Sequence, residues 1–372
     1  MKNGNEVEVI TGMPNYPKGN LFEGYSIKGP YRQEYKGIRI YRVPVIPRGK
    51  GSSIKMVLNY LSFMICACFR ILPLLSKKYD RVFAFQTSPI TAVIPAIFYS
   101  RIKKINSYIY IQDLWPETFY TIVPINNIKV RKVMKNICIN IYNKFTKILI
   151  ASRGYREILI KSNINDKKII YFPQWAENIY SKEIEEIKED NEFALTFAGN
   201  IGKAQSVETI VKAASLGKDN KNIKWNILGY GSEFNKIKQL VDEYKLEDTV
   251  ILHGRKPIEE MPHYFSKSDA LIVTLKDEGI LTVTLPAKVQ SYMASGKPII
   301  GAISGEGNRI INESNCGFAC EAEDYTGLYN NVMKLYRMNT NDRKKLGVNG
   351  KEYFEDNFSK DKLLKQLLDV MN

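Results

Sequence analysis

A chain of 372 residues, 44% hydrophobic and 25% charged, is long for a single core and too apolar for a disordered segment, so two folded domains of ordinary size are expected. The net charge of +15 is lopsided: residues 1–175 hold 28 Lys+Arg against 9 Asp+Glu, and residues 176–372 hold 26 against 30. The basic half must meet something acidic. With no RNA- or DNA-binding motif and no stacking pattern among the aromatics, that is an anionic lipid surface or a phosphate-bearing substrate rather than nucleic acid.

In chain order, apolar runs at 7–10, 38–43, 81–85, 108–112, 148–151 and 169–172 alternate with helical stretches, the pattern of a mostly parallel sheet covered on both faces. Between the second and third runs, residues 54–75 form a greasy helix. Only fourteen residues separate Lys55 from Arg70, fewer than the roughly 20 a bilayer crossing needs, so it is a core helix or one lying in a membrane interface. Gln86-Thr87-Ser88-Pro89 and Gln112-Asp113-Leu114-Trp115-Pro116-Glu117 follow strand ends, where α/β sheets place their ligands. Residues 127–150 read as a basic amphipathic helix, with Lys129, Arg131, Lys132 and Lys135 around Val130, Val133 and Ile137; a solvated face and attachment to an inner leaflet both fit.

The acidic stretch 181–192 breaks the apolar rhythm and is the expected linker between a first domain over 1–180 and a second over 193–358. Strand-like runs recur at 194–198, 224–228, 250–253, 270–274, 299–302 and 318–320. The first leads into Gly199-Asn200-Ile201-Gly202-Lys203-Ala204-Gln205 and an amphipathic helix carrying Val207, Ile210, Val211 and Ala214; the second leads into Gly229-Tyr230-Gly231. Phe234 stands where a dinucleotide fingerprint has its third glycine and no acidic residue closes the next strand, which argues against NAD. Leu285-Pro286-Ala287-Lys288 opens a helix whose unpaired N–H groups and partial positive charge suit a phosphate, with a lysine in the first turn. An ordinary helix-to-strand joint would carry the same punctuation.

Cys66, Cys68, Cys138, Cys316 and Cys320 have no metal-type spacing, and neither His253 nor His263 sits in a nucleophile motif, so no metal or histidine triad is expected. No leader-like or spanning segment is read, which places the chain on the cytoplasmic side.

These segments, together with Tyr41-Arg42-Val43-Pro44 and Cys316-Gly317-Phe318, resemble the retaining glycosyltransferases of family 4, and within them the bacterial N-acetyl-L-fucosamine transferase-like subgroup of surface-polysaccharide enzymes. The resemblance implies the GT-B fold: two Rossmann-like doubly wound domains facing a cleft, the helix near 359–371 returning to brace the first. It also implies that the first domain lacks its opening strand and helix. The implied activity is metal-independent transfer of an amino-deoxyhexose from a UDP-sugar to a polyprenyl-diphosphate-linked saccharide in capsule or O-antigen assembly, at the inner face of the plasma membrane, with no cofactor beyond the donor. A UDP-sugar 2-epimerase of the same fold and an inactive partner protein are the rival readings.

Asn200 and Gln205 fall where that family usually has a basic pair, and Val283 and Ser291 where it has two glutamates. The subgroup pattern instead assigns the diphosphate to Lys203 and Lys288, with Gly199, Asn200, Gly202, Gln205, Gly229, Gly231, Thr282, Thr284 and Pro286 around it and Gln290 or Ser291 toward the ribose. Arg255 would stack on the base or pair with Glu259 or Glu260. Asp113 would contact the sugar or take the acceptor proton, unless it only caps a turn. Thr87, Ser88, Gln112, Trp115 and Glu117 would line the acceptor side.

Overall fold

The computed structural model describes residues 4–16, 18–49, 53–123, 125–182 and 192–372. The chain divides into two compact units, the first comprising 1–150 and 159–170 and the second 151–158 and 171–372. The division thus falls before the expected 181–192 linker, of which 183–191 lie outside the described residues.

The first unit contains strands β1 (Glu8–Gly12), β2 (Arg32–Tyr35), β3 (Ile38–Val43), β4 (Arg81–Gln86), β5 (Asn106–Ile111) and β6 (Lys147–Ile150), and most of β7 (Ile169–Tyr171). They form two sheets, β1-β3-β2 and β4-β5-β6-β7, where one doubly wound sheet is expected from the apolar runs. The antiparallel β2, of sequence RQEY, has no apolar alternation and carries no signal that pattern reading could have used. Helix α1 (Ser53–Leu74) packs on β1, β3 and the following helix α2 (Ile94–Lys103). It holds its place through the buried Ala67, Ile71 and Leu74, and through Asn59, which donates to the Ile46 carbonyl at 2.7 Å. At 22 residues, α1 has the length and apolarity to cross a bilayer, contrary to the count between its flanking charges. Helix α3 (Glu117–Ile122) precedes α4 (Ile128–Asn143), which stops short of the expected 127–150 helix because β6 begins at Lys147. Helix α5 (Gly154–Lys161) starts in the second unit.

The second unit is a six-stranded sheet of β8 (Phe193–Ala198), β9 (Ile223–Leu228), β10 (Val250–Gly254), β11 (Ala270–Thr274), β12 (Ile299–Ala302) and β13 (Gly317–Cys320), ordered β10-β9-β8-β11-β12-β13 and parallel throughout. Strands buried on both faces need helices on both. Helices α6 (Val207–Ser215) and α7 (Phe234–Tyr244) share a core with Phe197, Trp225 and Ile227. On the other face α8 (Met261–Ser266), α9 (Ala287–Ala294) and α10 (Gly305–Glu313) pack on Leu271, Val273 and Ile299. Helices α11 (Tyr325–Arg337), α12 (Thr340–Asn357) and α13 (Lys360–Met371) complete the unit. The terminal helix expected to brace the first domain groups with the second unit, where Gln366 donates to the Tyr171 carbonyl at 3.0 Å. Strand order reverses between β8 and β11, and a parallel sheet leaves a crevice beyond the carboxyl ends of its strands at such a point.

Candidate donor site at the switch point of the second unit

The loop after β8 is Gly199–Ser206, and it is zipped to its neighbours by main-chain bonds. Gly199 N–H donates to Leu228 O at 2.9 Å, Ile201 N–H to Tyr230 O at 3.3 Å, and Glu233 N–H to Ile201 O at 3.0 Å. On the β11 side, Lys276 N–H donates to Ala204 O at 3.0 Å and Thr274 Oγ1 to Gln205 O at 2.5 Å. Three strand ends therefore fix one loop at the point where the sheet reverses.

Close approach explains the glycines. Gly229 has φ +145°, and a Cβ there would lie 1.7 Å from the Gly199 carbonyl oxygen; one on Gly231 would lie 2.3 Å from Ile201 O. Asn200 Nδ2 donates to Gln205 Oε1 at 3.3 Å, closing over Gly202, where a Cβ would meet Asn200 Nδ2 at 2.6 Å. The four expected glycines thus shape one narrow loop pair, two of them by contact with each other.

Lys288 enters this loop from α9. The helix is capped by Pro286 in an extended conformation, which puts Lys288 in the first turn, with its unpaired N–H groups. Its side chain passes beneath Gly199, where a Cβ would lie 2.4 Å from Lys288 Cε and 2.8 Å from Nζ, and its ammonium rests 4.1 Å from the centroid of the Phe197 ring. Among the described residues no carboxylate or carbonyl hydrogen-bonds it. Enclosure without an anionic partner pushes its pKa down to about 7 from the ordinary 10.5. The positive end of a helix dipole and a cation without an anionic partner both favour negative charge nearby.

The other expected donor residues fare differently. Lys203 is exposed in the short turn Lys203–Gln205, and Arg255 is exposed just beyond β10. Thr282 Oγ1 donates to Gly279 O at 2.9 Å and Thr284 Oγ1 to Ile280 O at 2.7 Å, so both hydroxyl protons are used within their own loop. Gln290 is buried, its amide donating to Gln174 O at 3.2 Å while its Oε1 is unpartnered, and Ser291 donates to Ala287 O at 3.1 Å. Gln290 and Ser291 each donate one hydrogen bond to the protein's own carbonyls, which leaves Gln290 Oε1 as the unpartnered acceptor of the pair.

Several contributors carried no sequence signal. Tyr292 Oη accepts from Ala198 N–H at 3.0 Å and donates to Ala198 O at 3.2 Å, anchoring α9 to the end of β8. Ser152 donates to Val283 O at 2.5 Å, Gly154 packs on Val283, and Tyr155 bonds Thr284 at 3.0 Å, so residues 151–158 brace the loop before α9 from within the same unit. Glu306 N–H closes the other side on Thr282 O at 2.9 Å.

In the first unit, Asp113, Ser88 and Trp115 form one cluster. Asp113 Oδ2 accepts from Ser88 N–H at 3.0 Å and Ser88 Oγ at 2.9 Å, and Trp115 Nε1 donates to Ser88 Oγ at 3.0 Å. Gln86 Nε2 binds Thr87 O and Asp113 O, tying the two loops together, while Thr87 itself is exposed. Gln112 N–H donates to Gln86 O at 2.9 Å, at the end of β5. Burial raises the Glu117 carboxyl above its usual range, with Lys135 and Arg131 partly opposing it. Trp115 is buried and stacks on Phe119 at 5.0 Å, and its backbone exchanges bonds with Tyr142 Oη, so it serves the core as well as the loop.

Residues 180–353 match the family model described as glycosyl transferases group 1, the stretch from just before β8 into α12. That stretch, just under half of the chain, is similar to group 1 glycosyl transferases. Relatives agree: the probable glycosyltransferase WbjE of Pseudomonas aeruginosa is 26% identical over 67% of this chain and 64% of its own length, and the putative colanic acid biosynthesis glycosyl transferase WcaI of Escherichia coli is 22% identical over 79% and 74%. The chain therefore spans just under two thirds of the WbjE relative. Among solved structures, Anabaena Alr3699/HepE in complex with UDP superposes with a TM-score of 0.73 over 98% of this chain and 99% of that one at 13% identity. Sucrose-phosphate synthase of Thermosynechococcus elongatus gives 0.74 over 99% and 89% at 15% identity. At such identities the likeness establishes the GT-B fold.

An anionic diphosphate seated beside Lys288 should bring the uptake of a proton with it. Between about pH 7 and 10.5 the folded chain holds fewer protons at Lys288 than the unfolded chain, so this group alone makes the fold more stable as pH rises through that window. Phosphate oxygens beside the ammonium reverse the shift. Calorimetry of UDP binding at pH 8 in buffers of different ionisation enthalpy should report uptake of about one proton, and affinity should fall by up to about tenfold per pH unit above 7. Binding heats independent of the buffer would exclude Lys288 as the diphosphate contact.

Proposed function

We propose that the chain is a glycosyltransferase that takes a sugar from a UDP-sugar and delivers it to a lipid-linked saccharide in the assembly of a surface polysaccharide. The observation that carries the reading is the enclosed Lys288 ammonium at the α9 N-terminus, beside Gly199 at the switch point within the stretch similar to group 1 glycosyl transferases. The departing UDP builds negative charge on its diphosphate in the transition state, and a cation with helix N–H groups already in place stabilises that charge without reorganising. The Alr3699/HepE complexes with UDP and with UDP-glucose, and the colanic acid relative, support a uridine donor and a polysaccharide product.

The finer reading is an amino-deoxyhexose such as N-acetyl-L-fucosamine, transferred with retention and without a metal, to a polyprenyl-diphosphate carrier in capsule or O-antigen assembly at the inner membrane face. In it Asp113 takes the acceptor proton and Thr87, Ser88, Gln112, Trp115 and Glu117 form the acceptor side. Front-side transfer leaves charge stabilisation as the main work of the second unit. The test is UDP release from UDP-sugars with and without polyprenyl-diphosphate saccharides. Release that depends on the acceptor, with the product anomer matching the donor, is the expected result. UDP binding with no turnover on any acceptor would favour a non-catalytic partner, and acceptor-independent conversion of the sugar would favour an epimerase.

A further inference from the structure

The first unit presents an apolar helix face that nothing in the described structure covers. On α1 the residues Ile54, Leu58, Leu61, Ile65, Phe69 and Leu72 are 40–74% exposed. Their spacing of three or four residues places them on one stripe about 80° wide at about 100° per residue. The opposite face carries Ala67, Ile71 and Leu74, which are buried within the unit. A helix with one face in the core and the other greasy and bare is neither an ordinary surface helix nor a free span.

Crossing a bilayer would strip Ala67, Ile71, Leu74 and the Asn59–Ile46 bond from the fold, so length alone does not make α1 a span. The charge around it points to the occupant. Between Glu34 and Asp113 the sequence holds thirteen lysines and arginines against one acid, Asp80. Among them, Lys55 lies on α1 itself, Lys78 follows its end, and Arg101 lies on α2, which packs against α1 and exposes Phe98 and Ile102. An apolar stripe rimmed by cations complements a surface with acyl chains below and anionic headgroups above, whereas a second copy would bring a second set of like charges.

We propose that α1 lies in the plane of an anionic bilayer, its Ile54–Leu72 stripe at the acyl boundary and the flanking lysines and arginines on the headgroups. This deepens the membrane-side part of the function proposed above and rests on that reading only for its purpose; the physical basis is the exposed face itself.

Co-sedimentation of the full chain with large vesicles of equal parts phosphatidylglycerol and phosphatidylcholine should bring it down, and pure phosphatidylcholine should bind about tenfold more weakly. Leu61→Asp with Ile65→Asp changes only the exposed face, and should lower binding to the mixed vesicles by about tenfold or more while leaving the melting temperature and UDP affinity as they are. With Phe69→Trp, brominated lipids should quench the added fluorescence. Unchanged vesicle binding in the double variant, no binding by the parent chain, or an unquenched Trp at 69 would each overturn the proposal. So would a dimer that the double variant dissociates, with no vesicle affinity in the parent. Loss of vesicle binding with UDP affinity intact separates this surface from the donor site, and loss of UDP binding with vesicles still bound would count against the function alone.

Discussion

Lys288→Ala is expected to weaken UDP binding by about a hundredfold and to lower turnover by about 10²–10³, the usual cost of removing one preorganised charge-stabilising donor. The apo protein should not become less stable in step. Below pH 7 the native ammonium is charged, enclosed and without an anionic partner, a state that opposes folding, so truncation removes that penalty while losing the contact of the stem with Phe197. Thermal melts at pH 6 with and without UDP separate the two effects: the ligand-induced shift should vanish while the apo midpoint holds. Lys203→Ala should behave differently. That side chain is exposed, so its contribution is solvent-screened, and a loss of only several-fold that shrinks with added salt is expected. A Lys288→Ala enzyme with UDP affinity within twofold of the parent would remove the diphosphate site from this loop.

The two lysines were equal candidates in sequence, Lys203 beside Gly202 after a strand and Lys288 in the first helical turn after Pro286. What distinguishes them is tertiary. Lys288 is enclosed because Gly199 lacks a Cβ and Phe197 lies at the end of a neighbouring strand, ninety-one residues earlier in the chain. Periodicity and punctuation did reveal the six strands of the second unit, the glycine loops and the start of α9, because strands buried on both faces read as apolar runs and glycines mark close approach. They could not reveal Tyr292 or the Ser152–Tyr155 segment, whose roles exist only through partners more than ninety residues away. For the same reason the bond from Gln290 to the main chain of Gln174 was invisible, since no local pattern connects that residue to α9. In the first unit the polar strand β2 and the division of the strands into two sheets were invisible, since backbone pairing leaves no mark on a sequence like RQEY.

Gly229→Ala is expected to be the most damaging single methyl in the second unit. In sequence, Gly229-Tyr230-Gly231 looked like a place for a ligand to approach. In the fold, Gly229 is where two strand-exit loops touch. Its φ of +145° is costly for any L side chain, and the new Cβ would sit 1.7 Å from the Gly199 carbonyl oxygen, which is backbone and cannot rotate away. Relief requires moving the Gly199 loop off Leu228 and Tyr230, which also shifts the roof over Lys288. Strain and displacement together should cost about 3 kcal/mol or more, about 10 °C in midpoint for a unit of this size. UDP affinity should fall as well, because the ammonium loses its enclosure. Gly254→Ala is the control, since Gly254 also has positive φ, at +69°, but has nothing within 4 Å of its added Cβ. It should cost about 1 kcal/mol and leave UDP binding near normal. If the two substitutions lowered the midpoint equally, backbone strain alone would account for both, and the contact between the Gly199 and Gly229 loops would not be what shapes the site.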